Sequence, residues 1–304
     1  RVLLVFIDGV GYGRPGAQNP FDGAPVSILA RLGGGPEEGD PRVAYGSLDA
    51  TLGHDGLPQS ATGQSTLFTG EDAMRVAGGH RSGYPSRAVA ELVLARSFLA
   101  RARAAGKRAR FLNAFDPARA ALAQAIARGE HKRVRHRAPS ASTLAAVAGE
   151  GDLMTFDDAR EGRAATFDVT GDVCVSFGLD APRVGVSDAA RAVARGASEL
   201  DVALFEMFLT DKAGHAQDMT WARAEIVKTE RFLAALFDAV DPSEQLVVVT
   251  SDHGNLEDLS TRSHTRAAVP LLAFGAGAEE LVRGAETIRD VAPRLLRWAG
   301  APGA

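Results

Sequence analysis

The chain has a single cysteine, Cys174, among its 304 residues. One thiol cannot build an internal disulfide framework. Cys174 is expected to be a small buried side chain rather than a reactive group. Basic excess is missing too: 34 Lys and Arg against 38 Asp and Glu leave a formal charge of −4. That removes the electrostatic footprint of a nucleic-acid binder. No apolar run approaches the ~18 residues that suggest a membrane span. The opening RVLLVFIDG is too short an apolar run for a signal peptide and runs straight into a polar motif. It reads as a first core strand, and a cytoplasmic location is the expectation. Internal repeats and low-complexity linkers are absent as well.

What is present is an ordinary globular composition, 45% hydrophobic and 24% charged, with enough chain for a sizeable core. Short apolar runs at Val2–Ile7, Arg108–Leu112, Val202–Leu209, Leu246–Thr250 and Val269–Phe274 look like strands buried on both faces. Helical patterns lie between them. Ser86–Ala105 has a serine start signal and stops at Gly106; Asp218–Val240 is amphipathic and stops before Asp241-Pro242; Ala285–Ala299 closes the chain. Alternating strand and helix give an α/β class, a mostly parallel sheet sandwiched by helices. The chain reads as one domain over residues 1–304. The rhythm breaks between about 115 and 185, which reads as a small inserted cap. Trp221 and Trp298 are expected to be packing residues.

The strand ends carry the chemistry. Val2–Ile7 runs into Asp8, Val202–Leu209 into Thr210-Asp211, and Leu246–Thr250 into Ser251-Asp252-His253. In a parallel sheet such ends share one edge, where open α/β folds bind ligands. Three carboxylates crowded there repel one another unless cations lie between them. Of the seven histidines, His215, His253 and His264 sit beside these carboxylates. Asp211 and His215 are spaced as two ligands on one helical turn or tight loop. Imidazole with carboxylate suits Zn²⁺ or Mn²⁺ better than Ca²⁺. His54, His80, His131 and His136 lack this setting and are expected to be ordinary residues. The stretch GLPQSATGQSTLFTG is rich in glycine and hydroxyls and leads into a helix, whose free N–H groups favour phosphate. On chemistry alone Ser60, Thr62, Ser65 and Thr66 are all candidate nucleophiles. The glycines of DGVGYG do not make a dinucleotide fingerprint, because Arg14 stands at the third glycine position.

The motifs FIDGVGYG, PQSATGQS, DKAGH, SDHGN and SHT…VPLL, in this order, resemble the alkaline phosphatase superfamily. The closest branch is that of cofactor-independent phosphoglycerate mutase and phosphopentomutase, which Asn19-Pro20 also resembles. The resemblance covers roughly residues 1–70 and 200–275. It implies two divalent ions, Mn²⁺ or Zn²⁺. Asp211, His215 and His264 would hold one; Asp8, Asp252, His253 and Ser60 would hold the other. Ser60 would be the nucleophile, with Thr62 as second choice. Lys212 and Arg81 could touch phosphate oxygens, and the basic run Arg128–Arg137 could grip an anionic substrate.

The implied function is a phosphatase- or phosphodiesterase-type hydrolase that acts through a phosphoserine on a small phosphorylated metabolite. A phosphomutase is the alternative, and a non-catalytic metal-binding homologue a second one. Gln64 stands where the mutases have histidine, and the connecting region is too short for the second domain of phosphoglycerate mutase. Around Ser60 the sulfatase signature is absent.

Overall fold

A computed structural model describes residues 1–35, 38–130 and 138–302. Six strands form the main sheet. In chain order they are β1 (Val2–Ile7), β2 (Val43–Leu48), β3 (Ala109–Phe111), β6 (Val202–Met207), β7 (Leu246–Thr250) and β8 (Val269–Gly275). The two short strands β4 (Ala114–Phe115) and β5 (Met154–Thr155) pair separately. Across the main sheet the order is β2-β8-β7-β1-β6-β3. β1 pairs in parallel with both β6 and β7, and β3 in parallel with β6. β8 runs antiparallel to its neighbours β7 and β2.

Why these runs are continuously apolar is visible in β1. Successive side chains of a strand point to opposite faces. Leu3, Val5 and Ile7 enter one core, and Val2, Leu4 and Phe6 enter the other. On the first face lie the helices Val186–Ser198 and Met219–Ala239, which contribute Val193, Ile226, Phe232 and Leu233. On the second lie Ser60–Thr69, Arg87–Arg96, Phe98–Ala104, Ala141–Val147 and Val291–Trp298. Helices cover both faces, so β1 is apolar at every position, as expected for a doubly covered sheet.

Four local expectations change. The helix expected over 86–105 is two helices, broken at Ser97. This fully buried serine is extended, with φ −59° and ψ 147°, and its Oγ accepts from Ala100 N at 3.4 Å. A serine hydroxyl competes with the backbone ladder in this way. The run expected as a strand to Leu209 ends at Met207, and Leu209 already opens the helix Leu209–Ala216. That correction is useful, because it puts Asp211 and His215 on one helical turn. The C-terminal pattern is helical only from Ile288. β2 was not foreseen, because Gly46 and half-exposed Tyr45 interrupt its apolar pattern.

Residues 115–185 contribute helices at Pro117–Ala127, Ala141–Val147, Phe156–Arg160 and Asp172–Ser176. Leu144 and Val147 join one apolar core, and Phe156, Val169 and Cys174 the other.

Candidate metal centre

Three neighbouring strands, β7, β1 and β6, end side by side; Phe6 pairs with Thr250 and Ile7 with Met207. The next residues of each chain segment therefore meet at one edge. Asp8 follows β1, Asp252 and His253 follow β7, and the helix after β6 supplies Asp211 and His215. His264 comes from the long connection between β7 and β8. Asp8, Asp211, Asp252, His253 and His264 are all buried, Asp252 and His253 with 0% exposure.

The side chains converge in two overlapping sets. One ligand atom from each of Asp8, Asp252 and His253 lies within 4.8 Å of the others, and the same holds for Asp211, His253 and His264. His253 Nε2 is 3.4 Å from Asp8 Oδ1 and 3.4 Å from Asp252 Oδ2. His215 Nε2 is 3.3 Å from Asp211 Oδ2 and 3.1 Å from His264 Nε2, and His264 Nε2 is 3.5 Å from Asp211 Oδ1. The rings of His253 and His264 stack at 3.7 Å. His54 and His80 join no such set among the described residues; His54 pairs with Asp72 at 2.9 Å. His131 and His136 lie outside the described residues.

The imidazoles are turned for ligation. His264 Nδ1 lies 2.8 Å from Pro58 O, and His215 Nδ1 lies 2.7 Å from Arg262 O. A proton on Nδ1 given to a carbonyl leaves the Nε2 lone pair facing the cluster, the usual arrangement behind a metal-binding histidine. Burial, aided by the charge of His264, drives His253 down to about 3, so it is a neutral imidazole. Burial raises Asp252 to about 7, with the charge of Asp211 adding to it, and pushes Asp8 well above the usual carboxylate range beside Asp252. Asp211 goes the other way. Burial would raise it, but hydrogen bonding to His264 and to the amide of Asn255 holds it low. Asp8 Oδ1, Asp252 Oδ2 and His253 Nδ1 are buried and lack a hydrogen-bond partner among the described residues. Orphaned carboxylate oxygens in a water-poor site are costly unless something positive meets them. A donor set of buried carboxylates and neutral imidazoles fits divalent cations.

Ser60 is the first residue of the helix Ser60–Thr69, and its Oγ is 3.0 Å from His253 Nε2. Thr62 turns away. It is fully buried, its Oγ1 donates to Gln59 O at 3.3 Å, and it accepts from Arg81 N. Ser65 Oγ donates to Ala61 O, and Thr66 Oγ1 accepts from Ala73 N. Of the four hydroxyls, Ser60 is the one in contact with a histidine of the cluster. Gly63 lets the helix approach, since a Cβ there would lie 2.9 Å from Asp252 O. Gly9, at φ +72°, would carry a Cβ only 2.8 Å from the Asp211 side chain.

Lys212 is exposed and lines the cavity of about 510 Å³ that also holds Ser60, Asp8, Asp211, His215 and His264. The Arg81 guanidinium does not line it; it donates to Ala77 O at 3.4 and 3.3 Å. The neighbouring Ser82 and Gly83 do line it. Arg128 pairs with Asp152 at 2.9 Å, and the rest of that basic run from 131 to 137 lies outside the described residues. Asn19 uses its amide within its own loop, donating to Arg14 O, Leu32 O and Gly33 O.

Sequence reasoning missed the residues that brace the cluster. Asn255 Nδ2 donates to Asp211 Oδ1 at 2.7 Å. Gln64 Nε2 donates to Asp8 Oδ2 at 3.2 Å, so the residue that departs from the mutase pattern still reaches the site. Glu257 Oε2 accepts from Gly11 N and Asn255 N, tying the β1 and β7 loops together. Asn255 and Glu257 lie within SDHGNLED, and that position was the signal available for them.

The chain is similar to known phosphoryl-transfer enzymes. It is 32% identical over 113 residues to a 2,3-bisphosphoglycerate-independent phosphoglycerate mutase of Natronomonas pharaonis, covering 34% of this chain and 22% of the relative. It is 34% identical over 94 residues to a phosphopentomutase of Methylobacterium radiotolerans, covering 29% of this chain and 23% of the relative. These matches span less than a quarter of either relative's length. The solved alkaline phosphatase of the Antarctic bacterium TAB5 superposes with a TM-score of 0.57 at 17% identity, covering 99% of this chain and 98% of that one, which establishes an alkaline-phosphatase-like fold. The Metalloenzyme superfamily matches residues 1–301, nearly the whole chain, and this chain belongs to that superfamily.

Proposed function

We propose that this chain is a two-metal phosphoryl-transfer enzyme, a phosphatase- or phosphodiesterase-type hydrolase that acts on a small phosphorylated metabolite through a phosphoserine. The observation that carries the reading is Ser60 Oγ at 3.0 Å from His253 Nε2, at a helix N-terminus beside the Asp8, Asp252 and His253 set. Asp8, Asp252, His253 and Ser60 would hold one divalent ion, and Asp211, His215 and His264 the other. Mn²⁺ and Zn²⁺ are the metals that suit this mixture of imidazole and carboxylate. Such ions supply Lewis acidity and a lowered hydroxyl pKa when bound.

The protein's own part is positioning. The Ser60–Thr69 helix presents Ser60 Oγ and its unpaired N–H groups to the phosphate. Ser60 Oγ attacks phosphorus, the bond to the leaving alcohol breaks, and phosphoserine results. Water then attacks phosphorus, releasing phosphate and restoring Ser60. Asn255 and Gln64 hold Asp211 and Asp8 in place. Lys212 lines the cavity and would meet phosphate oxygens there. From the 115–185 stretch, Ser140 lines the same cavity.

The mutase reading is kept because the matched relatives are named mutases. In that case the phosphoserine passes its phosphoryl group to a second hydroxyl of the substrate. The test is to load the protein with Mn²⁺ or Zn²⁺ and assay a panel of small phosphoesters by phosphate release and product analysis. Metal-dependent phosphate release is the expected result. An isomerised phosphoester without free phosphate would replace hydrolase by mutase, and a loaded protein inert on the whole panel would leave a metal-binding homologue.

A further inference from the structure

A second cavity, of about 380 Å³, opens beside the metal-centre cavity, and Tyr84, Ser140, Glu206 and Phe208 line both. Shared walls make it a continuation of the site rather than a separate feature. Its size falls within the range of small-ligand pockets. Beyond the shared residues the walls are largely apolar and aromatic, with Phe115, Phe156, Phe167 and Leu179 among them, beside Asn113, Asp116, Arg119 and Thr143. Phe167 and Phe208 stack on each other at 4.4 Å and 14°, forming an aromatic block in the wall. Such a wall suits a ring held by offset or edge-to-face stacking.

The polar groups are few and placed. Glu206 is on β6, buried between the two cavities. Ser142 Oγ donates to its Oε2 at 2.7 Å, and no hydrogen bond to Oε1 is made among the described residues. The side-chain amide of Asn113 is tied to the Glu206 backbone, its Nδ2 donating to Glu206 O at 2.8 Å and its Oδ1 accepting from Glu206 N at 2.7 Å. That clamp fixes where the carboxyl stands. Arg119 is the one cation on the cavity wall among the described residues, and the acids Asp116 and Glu206 line the same cavity. Among the described residues the cavity wall therefore has no positive excess with which to bind a carboxylate or a second phosphate.

We infer that this cavity takes the alcohol part of the substrate, and that the preferred substrates are phosphoesters of a flat, mainly apolar ring-bearing alcohol whose hydrogen-bond donor meets Glu206. This rests on the phosphoryl-transfer reading for the phosphate end only. It separates the chain from catalysts of short anionic phosphoesters, because the described wall of the cavity next to the phosphate is largely aromatic and carries two acids to one base.

The test is calorimetric binding to the metal-loaded protein, with four non-hydrolysable probes: methylphosphonate, phenylphosphonate, 3-hydroxyphenylphosphonate and phosphonoacetate. Phenylphosphonate should bind on the order of tenfold or more tighter than methylphosphonate, from burial of one ring. The 3-hydroxyl group should add several-fold again, and phosphonoacetate should gain nothing. Ala123 lines the cavity on the Pro117–Ala127 helix, away from the metal cluster's ligands. Ala123→Phe should abolish the phenyl advantage and leave methylphosphonate unchanged. Glu206→Gln should erase the hydroxyl increment and keep the phenyl one. If Glu206→Gln does not fold, the hydroxyl increment in the unmodified protein decides that part. Equal binding of phenyl- and methylphosphonate, a phenyl advantage that survives Ala123→Phe, or preference for phosphonoacetate would each overturn the inference. Ring-selective binding with no turnover of any phosphoester would leave the subsite standing and remove the catalytic reading instead.

Discussion

Ser60 and Thr62 are two positions apart in one helix turn, and the structure gives them opposite surroundings. Ser60 Oγ meets His253, whereas Thr62 Oγ1 is spent on Gln59 O and Arg81 N. Ser60→Ala should lower turnover by several orders of magnitude while elemental analysis still finds metal, because the Asp and His side chains remain. Thr62→Ala should cost about 1 kcal/mol of stability, a hydrogen bond's worth, and little activity. Rapid quench and peptide mass spectrometry should find phosphate on Ser60; label on Thr62 would reverse the assignment. Gly63→Ala makes a sharper stability test. Its new Cβ would stand 2.9 Å from a backbone oxygen of Asp252, so the helix must move. A loss of about 1–3 kcal/mol is expected in denaturant melts, with activity falling further. The converging residues were legible in sequence because Asp and His at strand ends are chemically conspicuous. Asn255, Gln64 and Glu206 were not, since an amide or acid looks ordinary until its partner across the fold is known. Arg81 misled for the reverse reason: its charge is near the nucleophile in sequence, but its guanidinium turns to Ala77 O.

Among elements, strands buried on both faces are the easiest to read, because they leave no polar position to interrupt the run. β1 and β7 match their expected bounds for this reason. β2 escaped because it lies at the sheet edge and contains Gly46. The direction of β8 escaped because apolar content does not encode whether a neighbour runs parallel. Ser97 was hidden in another way. Apolar periodicity runs through it, and only a buried hydroxyl with no other use reveals the break. Ser97 Oγ caps Phe98–Ala104, so Ser97→Ala should cost about 1 kcal/mol in a thermal or denaturant melt. No change in stability would mean that the break is set by packing and that the cap contributes little. The functional consequence of element placement is larger. Ending β7, β1 and β6 at one edge gathers carboxylates from positions 8, 211 and 252 of the sequence, so the cluster exists only when the sheet is complete.

For the whole molecule, the cluster opposes folding unless cations occupy it. Divalent ions that bind only the folded chain stabilise it by mass action, about 2.7 kcal/mol at a hundredfold excess over Kd. A chelator should lower the melting temperature, and Mn²⁺ or Zn²⁺ should restore it. The pH dependence gives the sign independently. In the metal-free protein, burial lifts Asp252 and Glu206 to about 7, Asp8 is raised well above its ordinary value, and Glu257 is raised as well. Each raised carboxyl binds more protons folded than unfolded in that window, so each contributes stability that fades as pH climbs towards its folded pKa. His253 acts the other way. Lowered to about 3, it adds stability as pH rises towards the ordinary histidine range. Between roughly pH 5 and 6.5 the four raised carboxyls outnumber the two lowered imidazoles, His253 and His80. Above 6.5 His253 drops out, and the raised His264 joins the carboxyls. Chelated protein should therefore melt at progressively lower temperature from pH 5 to pH 7.5. Loaded protein should move less or rise, because ligation needs deprotonated carboxylates and neutral imidazoles and so tightens with pH. The measurement is a pair of melting curves across that range, and the gap between them should widen as pH increases. A gap that narrows, or a chelated protein that grows more stable towards neutral pH, would mean that the buried carboxyls are not the groups the cations relieve.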